Sequence, residues 1–383
     1  MRIGLILETF DPAGGGAERW TAQFHDHLRR AGHEVHVIAF AARGHDTVEH
    51  LHLLTDPGTL LGRAEAVAAA VARLPPMVLH DSGTGWSAHV FHPQTGSRLL
   101  SLERMMSARG IAGRLRWRVD PRMIRLRRIM ARIEDRAARQ ATRVIAVSRV
   151  LRDLLAARHG IDPARIATIP NGVDTARFDP ARLAPLRALA REQLGLGAQE
   201  LMLLMVAHNL WLKGVDTALR ALTLARAQGA VARLVICGGV PDADWHALVA
   251  RLGVAEHVVF AGDVPEVQRL YAAADAMLHP TRWDACSLAT IEGMAAALPV
   301  VSSTANGAAD LIEDGVSGHL LHRATDHEAL AAIILALRDG ALRRRIGQAA
   351  HHAARSADIA RNCAAVEAVL HVAAEQAGQS LPG

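Results

Sequence analysis

Ala276-Met-Leu-His279-Pro-Thr-Arg282-Trp283-Asp284-Ala-Cys286-Ser287-Leu288-Ala-Thr-Ile-Glu292-Gly-Met-Ala-Ala-Ala-Leu298-Pro299-Val-Val301 is the stretch whose pattern decides the fold. The apolar run Ala276 to His279 stops at a proline and reads as a strand. Ser287 is a residue type that caps helix N-termini, and a helical pattern follows it. Leu-Pro-Val-Val then opens another strand. Strand, loop, helix and strand in this order make a crossover unit of a parallel sheet. The first N–H groups of the helix face whatever lies above the strand ends. The amides of Cys286, Ser287 and Leu288 are therefore candidates to meet a ligand. Glu292 falls about a turn and a half into the helix, on a face that can look back at the same crevice. A carboxylate there can accept both hydroxyls of a ribose.

Outward from this unit the same alternation recurs. Leu201 to Ala207, Leu234 to Cys237, Val258 to Phe260, Pro299 to Ser302 and His319 to Leu321 read as companion strands. Ile3 to Leu7, Val35 to Ala39, Met77 to Leu79 and Arg143 to Val147 read as strands of an earlier series, with helices such as Glu18 to Arg30 and Leu60 to Arg73 between them. The expected class is α/β, with two doubly wound domains. A chain of 383 residues also exceeds the ~250–300 at which one hydrophobic core stops growing. The boundary is expected near Ile161 to Gly172, where two prolines meet an Asn-Gly turn. This gives a first domain over 1–168, a second over 169–356, and a last helix in 357–383 that packs back on the first.

Composition excludes several classes. The opening MRIGLILETF meets Glu8 and turn residues too soon for a signal peptide. No apolar stretch approaches the ~20 residues that cross a bilayer, so a cytoplasmic chain is expected, at most peripheral on the inner face of the cytoplasmic membrane. Cys237, Cys286 and Cys363 lack metal-site or disulfide spacing. His25-x-His27 and His50-x-His52 read as incidental surface pairs in a chain with 21 histidines, so no metal site is expected.

Two loops after strands add candidate ligand groups. Asp11-Pro-Ala-Gly14-Gly15-Gly16 precedes a helix, and Gly15 and Gly16 let backbone approach a phosphate or sugar closely. The third glycine of a dinucleotide fingerprint is missing, and the second strand ends Ile38-Ala39-Phe40 without the ribose-binding acid, which disfavours a nicotinamide enzyme. The second domain opens with His208-Asn209-Leu-Trp211-Leu-Lys213-Gly214. Lys213 is the only lysine among 43 lysines and arginines, and a compact ammonium acts as a point charge on phosphate.

Gly14-Gly15-Gly16, Ser148, Ile169-Pro-Asn171-Gly172-Val-Asp174, Lys213-Gly214, Asp284-x7-Glu292 and Gly315-Val-Ser-Gly318 together make the chain resemble the retaining GT-B glycosyltransferases of family 4 over nearly its whole length. The resemblance implies two Rossmann-like domains facing a central cleft, the donor held mainly by the C-terminal one and the acceptor by the N-terminal one. It implies transfer from a UDP-, GDP- or ADP-sugar to a glycan or lipid-linked acceptor with retained anomeric configuration, in surface-glycan or lipopolysaccharide assembly. No cofactor or metal is implied. Carried onto matching positions, the resemblance implies that Glu292 binds the ribose, Lys213 the diphosphate, and Asp284 with the Cys286 to Leu288 amides the donor sugar. Two departures stand out: Asp284 occupies a position commonly glutamate, and Asn209 and Trp211 stand where an arginine often precedes the lysine, so that the diphosphate would lean on Lys213, Asn209, the Gly loop and a helix dipole. A GT-B phosphorylase or epimerase, or a non-catalytic sugar- or membrane-binding relative, are the alternatives.

For the acceptor side, relatives place a histidine in the loop spanning His80 to Gly96, so His92 or His89 could orient the acceptor hydroxyl. A strand-end histidine satisfied by backbone is the plain alternative. Between Arg98 and Arg143 stand fourteen arginines against four acids, about +10 in a chain of net +5. From Met123 the apolar residues Leu126, Met130, Ile133 and Ala137 recur beside a stripe of arginines, an amphipathic helix. Docking on anionic lipid and packing on its own domain are both open. Nucleic acid ranks below both, without a stacking platform or binding motif.

Overall fold

The computed structural model describes residues 1–44, 46 and 48–378. The chain divides into two compact units, one built from Met1–Gly172 and the chain from Ile359 onward, the other from Val173–Asp358. The first runs β1 (Arg2–Phe10), α1 (Gly16–Arg30), β2 (Glu34–Ala42), β3 (His50–Leu53), α2 (Leu60–Val71), β4 (Val78–Asp81), β5 (Val90–Phe91), α3 (Arg98–Ala108), α4 (Gly110–Val119), α5 (Pro121–Gln140), β6 (Arg143–Ala146), α6 (Arg149–His159) and β7 (Ile166–Thr168). The second runs α7 (Pro180–Gln193), β8 (Leu201–Ala207), α8 (Val215–Ala227), β9 (Ala232–Gly238), α9 (Ala243–Arg251), β10 (Val258–Gly262), α10 (Gln268–Ala273), β11 (Ala276–His279), α11 (Leu288–Ala295), β12 (Val300–Ser303), β13 (His319–Leu321), α12 (His327–Ala336) and α13 (Gly340–Ala354), before α14 (Ile359–Gln376) returns to the first.

Each unit is a parallel sheet with helices between its strands. The orders are β3-β2-β1-β4-β5-β6-β7 and β10-β9-β8-β11-β12-β13. Strands covered on both faces read as continuous apolar runs, and LMLLMVA of β8 has only Val206 short of full burial. In register, Leu203 faces Leu234 and Ile3 faces Val35. Short polar side chains start the helices: Thr59, Ser97, Asp120 and Ser148 each accept an amide of the following turn.

The first unit reaches beyond the expected break after Thr168. Ile169 N donates to Ala146 O at 2.9 Å, continuing β7 beside β6. Asn362 Nδ2 of α14 donates to Pro170 O at 2.6 Å, and a Cβ on Gly172 would stand 2.6 Å from that of Asn362. α14 itself buries Cys363, Val366, Leu370, Ala373 and Ala374 in the core that holds Ile3, Leu5 and Phe24.

Candidate functional site

In an open parallel sheet, ligands bind beyond the carboxyl ends of the strands where the winding reverses direction. In the second unit that point lies between β8 and β11, which are neighbours in the sheet though β9 and β10 separate them in the chain. Lys213 follows β8 and Asp284 follows β11, so the topology brings together two loops that the sequence keeps apart.

Gly214 fixes the first loop. Its φ of 76° is a left-handed conformation, and a Cβ there would stand 2.0 Å from Pro280 O, so only glycine fits. Lys213 Nζ donates to Asp284 Oδ2. His279, the buried last residue of β11, lies with Nε2 3.2 Å from the same oxygen. A carboxylate only accepts, so the imidazole donates. Burial pushes the His279 pKa down, which keeps the ring neutral. Burial alone would raise the Asp284 carboxyl, but the Lys213 ammonium and the His279 hydrogen bond outweigh it and hold it well below the usual carboxylate range. The lysine is thus presented as a cation at the switch point.

Ser287 caps α11, its hydroxyl accepting from Thr290 N at 3.2 Å. Asn306 braces this corner: Oδ1 accepts from Ser287 N and Ala308 N at 3.1 Å each, and Nδ2 donates to Thr290 Oγ1 at 2.9 Å. Of the three amides expected to face a ligand, that of Ser287 is therefore engaged within the protein. Cys286 is buried, while Leu288 keeps partial exposure at the first position of the helix. Glu292 is half-buried, and Tyr271 donates to its Oε2 at 2.7 Å. Burial and the neighbouring Glu292 charge raise the Tyr271 phenol well above its ordinary value, so it remains a donor and orients the carboxylate.

Asn209 shapes the lysine loop, accepting from Leu212 N at 3.0 Å on Oδ1. Trp211 lies against Trp245 with ring centroids 4.4 Å apart and packs on the core. Arg282 clamps the two loops: its Nη1 and Nη2 reach Asp216 at 2.9 and 2.8 Å, and Nη1 also donates to Trp211 O at 2.6 Å. Sequence reasoning missed His279, Tyr271, Arg282, Asp216 and Asn306. The only available signal was a polar residue at a strand end, His279.

The first unit reverses between β1 and β4. Gly15 caps α1 without a side-chain hydrogen bond, Gly16 begins the helix, and Glu18 in the first turn places Oε2 2.9 Å from where a Gly15 Cβ would stand. A carboxylate thus already sits near the positive end of the helix. Beyond β1 and β4 a pocket is lined by Glu8, Arg63, Ser82, Thr95, Arg98 and Met130, with Arg98 Nη2 donating to Glu8 Oε1 at 2.6 Å. His92 does not line it. Its ring is 1% exposed, Nδ1 lies 3.0 Å from His80 Nε2, and the Trp20 edge stands against it. Burial, then the neighbouring imidazole, lowers the His92 pKa, and burial brings His80 to about 3. His92 is thus a buried, neutral residue in this structure, away from that pocket. His89 Nδ1 accepts from Leu79 N at 3.0 Å, the backbone-satisfied alternative. Among the described residues, the groups able to hold a metal ion lie in this unit and not beside Lys213.

The basic stretch forms α3, α4 and α5. Met130 and Ala131 of α5 pack against Leu99, Met106 and Trp117, so the apolar stripe of α5 faces its own unit. The exposed apolar residues belong to α4 instead: Ile111, Leu115 and Val119 are 84, 58 and 59% exposed. Among the described residues, no helix is long and apolar enough to cross a membrane.

Comparison with known proteins places this geometry. Residues 187–353 match the model of the glycosyl transferases group 1, and residues 14–177 that of glycosyltransferase family 4. A GDP-mannose-dependent alpha-(1-6)-phosphatidylinositol monomannoside mannosyltransferase of Mycolicibacterium smegmatis is 30% identical over 348 residues, covering 86% of this chain and 87% of that one. A D-inositol 3-phosphate glycosyltransferase of Actinosynnema mirum is 35% identical over 222 residues, 53% of this chain, and there the match spans about half of the relative, 51%. The crystal structure of WaaG, a glycosyltransferase involved in lipopolysaccharide biosynthesis, superposes with a TM-score of 0.78 at 22% identity, covering 96% of this chain and 99% of that one. Two parallel-sheet Rossmann-like units, each matched by a glycosyltransferase family model and together matched over 86% of the chain by the mannosyltransferase, identify the chain as a member of glycosyltransferase family 4 with the GT-B fold.

Proposed function

We propose that the protein transfers a hexosyl-type sugar from a nucleoside-diphosphate sugar to a glycan or lipid-linked acceptor, with retention of anomeric configuration and without a metal. The observation that carries this reading is the Lys213–Asp284–His279 cluster at the β8/β11 switch point, with the Tyr271-braced Glu292 on the helix that follows. Lys213 exchanges its Asp284 partner for the donor diphosphate and stabilises the charge that grows on the leaving group. Glu292 accepts the ribose hydroxyls. Asp284, with the Leu288 amide at the start of α11, holds the transferred sugar. The pocket of the first unit, with its Glu8, Arg63 and Arg98 rim, is assigned to the acceptor.

A screen of UDP-, GDP- and ADP-sugars for thermal stabilisation identifies the donor, because a ligand of the native state raises stability with its concentration. Nucleoside diphosphate should appear only as an acceptor gains sugar, and proton spectra of the product should carry the donor's anomeric form. Release of a sugar phosphate, or an epimerised donor, favours the phosphorylase or epimerase reading. Absence of saturable donor binding favours the non-catalytic one.

The α4 stripe supports a second element: docking on the anionic cytoplasmic face of a membrane. Ile111, Leu115 and Val119 follow one another at helical spacing between the exposed arginines Arg114, Arg118 and Arg122, an arrangement that inserts apolar groups while cations meet lipid phosphate.

A further inference from the structure

The first unit gathers imidazoles that sugar transfer does not use. Glu367 of α14 accepts from His27 Nε2 at 2.7 Å on Oε2 and from His33 Nε2 at 2.8 Å on Oε1. His371, one turn further along the helix, holds Nε2 3.7 Å from the same Oε1. The His33 and His371 rings lie with centroids 5.6 Å apart. Side-chain exposures run from 9% at His33 to 40% at His371, so the cluster is shielded on one side and open to an ion on the other.

We propose that His33, His371 and Glu367 form a zinc site that fastens α14 to the turn after α1. One ligand atom from each residue lies within 4.8 Å of the others. Tetrahedral zinc, with bonds of about 2.0–2.1 Å, separates its ligand atoms by roughly 3.4 Å. The two contacts of Glu367 Oε1, 2.8 and 3.7 Å, straddle that separation, so small side-chain shifts complete the geometry. Glu367 and His371 stand i,i+4 on one helix face, which lets a single ion bridge them. With Oε1 on the metal, Oε2 stays held by His27, the outer hydrogen bond that orients a ligating carboxylate. Mixed imidazole and carboxylate ligands suit zinc better than magnesium or calcium.

The second candidate group, Glu34, His36 and His50, is weaker for a cation, because the Arg2 guanidinium donates to Glu34 Oε1 at 2.7 Å. At the favoured site, zinc displaces the proton on His33 Nε2. His33 Nδ1, on the other side of the ring, lies 3.1 Å from the Met1 nitrogen. No motif announces this cluster, because His33 and His371 are far apart in the chain and meet only through the return of α14.

Zinc titration of the full chain against a chromophoric chelator, with thermal unfolding in parallel, tests the site. The expected result is one tight equivalent in the wild type, lost in His371→Ala and Glu367→Gln and kept in His50→Ala. A zinc-dependent rise in Tm should follow the same pattern. His371 is the most exposed ligand, and Glu367→Gln preserves shape, so both variants should fold. A wild type without a tight equivalent, one that survives in His371→Ala, or one lost in His50→Ala overturns the proposal.

Discussion

Lys213 and Asp284 meet across 71 residues of chain, and their pairing sets what each can do. A hydrogen bond to a charged group contributes about 1.5–3 kcal/mol, so Lys213→Ala should lower kcat/KM roughly 10- to 150-fold in a sugar-transfer assay. Asp284 carries a pH signature. Its carboxyl titrates lower in the folded chain than in the unfolded one, so its contribution is present above the ordinary carboxylate range and fades as pH falls through its folded value. Urea midpoints should therefore place Asp284→Asn below the wild type at pH 7, with the gap narrowing progressively as pH falls below the ordinary carboxylate range. His80 gives a second signature in a different window. Its pKa falls from 6.5 to about 3 on burial, so the unfolded chain binds the extra proton and stability drops as pH falls from 6.5 toward 3. His80→Leu should flatten the dependence of the urea midpoint on pH between about 4 and 6, and an unchanged slope would contradict the neutral, buried imidazole. The residue types at 213, 284 and 292 were legible because loop, cap and spacing are local. Their partners were not: His279, Tyr271 and Asn306 acquire their roles only when β11, α10 and the loop after β12 are laid beside one another.

At the scale of elements, the loop between β8 and α8 depends on a glycine that must be left-handed and must also lie against Pro280. Gly229, after α8, shares the positive φ but has open space where a Cβ would go. Gly229→Ala should therefore cost only the conformational term, about 1–2 kcal/mol, whereas Gly214→Ala adds a backbone clash and should also abolish donor binding. Thermal unfolding and nucleotide titration of the pair measure the difference. For α4, flotation with liposomes should require anionic lipid and should fall on Leu115→Asp or on charge reversal at Arg114 and Arg118. Flotation indifferent to both would remove the membrane reading. The long strands were readable as apolar runs bounded by turns. β5 has only the two residues Val90–Phe91, and β3 reads His-Leu-His-Leu at the sheet edge, so neither offers a run to detect. The Arg-rich segment was read as amphipathic on α5, but periodicity alone could not say that its apolar face is covered by Leu99, Met106 and Trp117, leaving α4 as the helix with exposed apolar residues.

At the scale of the whole molecule, the chain leaves its first unit after Gly172 and re-enters it at Ile359. Ending the chain at Asp358 removes Cys363, Val366, Leu370, Ala373 and Ala374 from the core of the first unit, and should leave it unable to fold while the contiguous second unit keeps its own core. Limited proteolysis of the truncated chain should leave a fragment near Val173–Asp358. The two-sheet architecture was legible because buried parallel strands write themselves as apolar runs. The exact boundary was not, since the Ile169–Gly172 segment belongs to the first unit through contacts with β6 and α14. If the second unit holds a nucleoside-diphosphate sugar through Lys213 and Glu292, calorimetric titration of the donor found in the nucleotide-sugar screen will register both residues. Saturable binding by the wild type and Cys286→Ala, with affinity at least tenfold weaker in Glu292→Ala and in Lys213→Ala, is the predicted result, and equal affinities across the four proteins would contradict it.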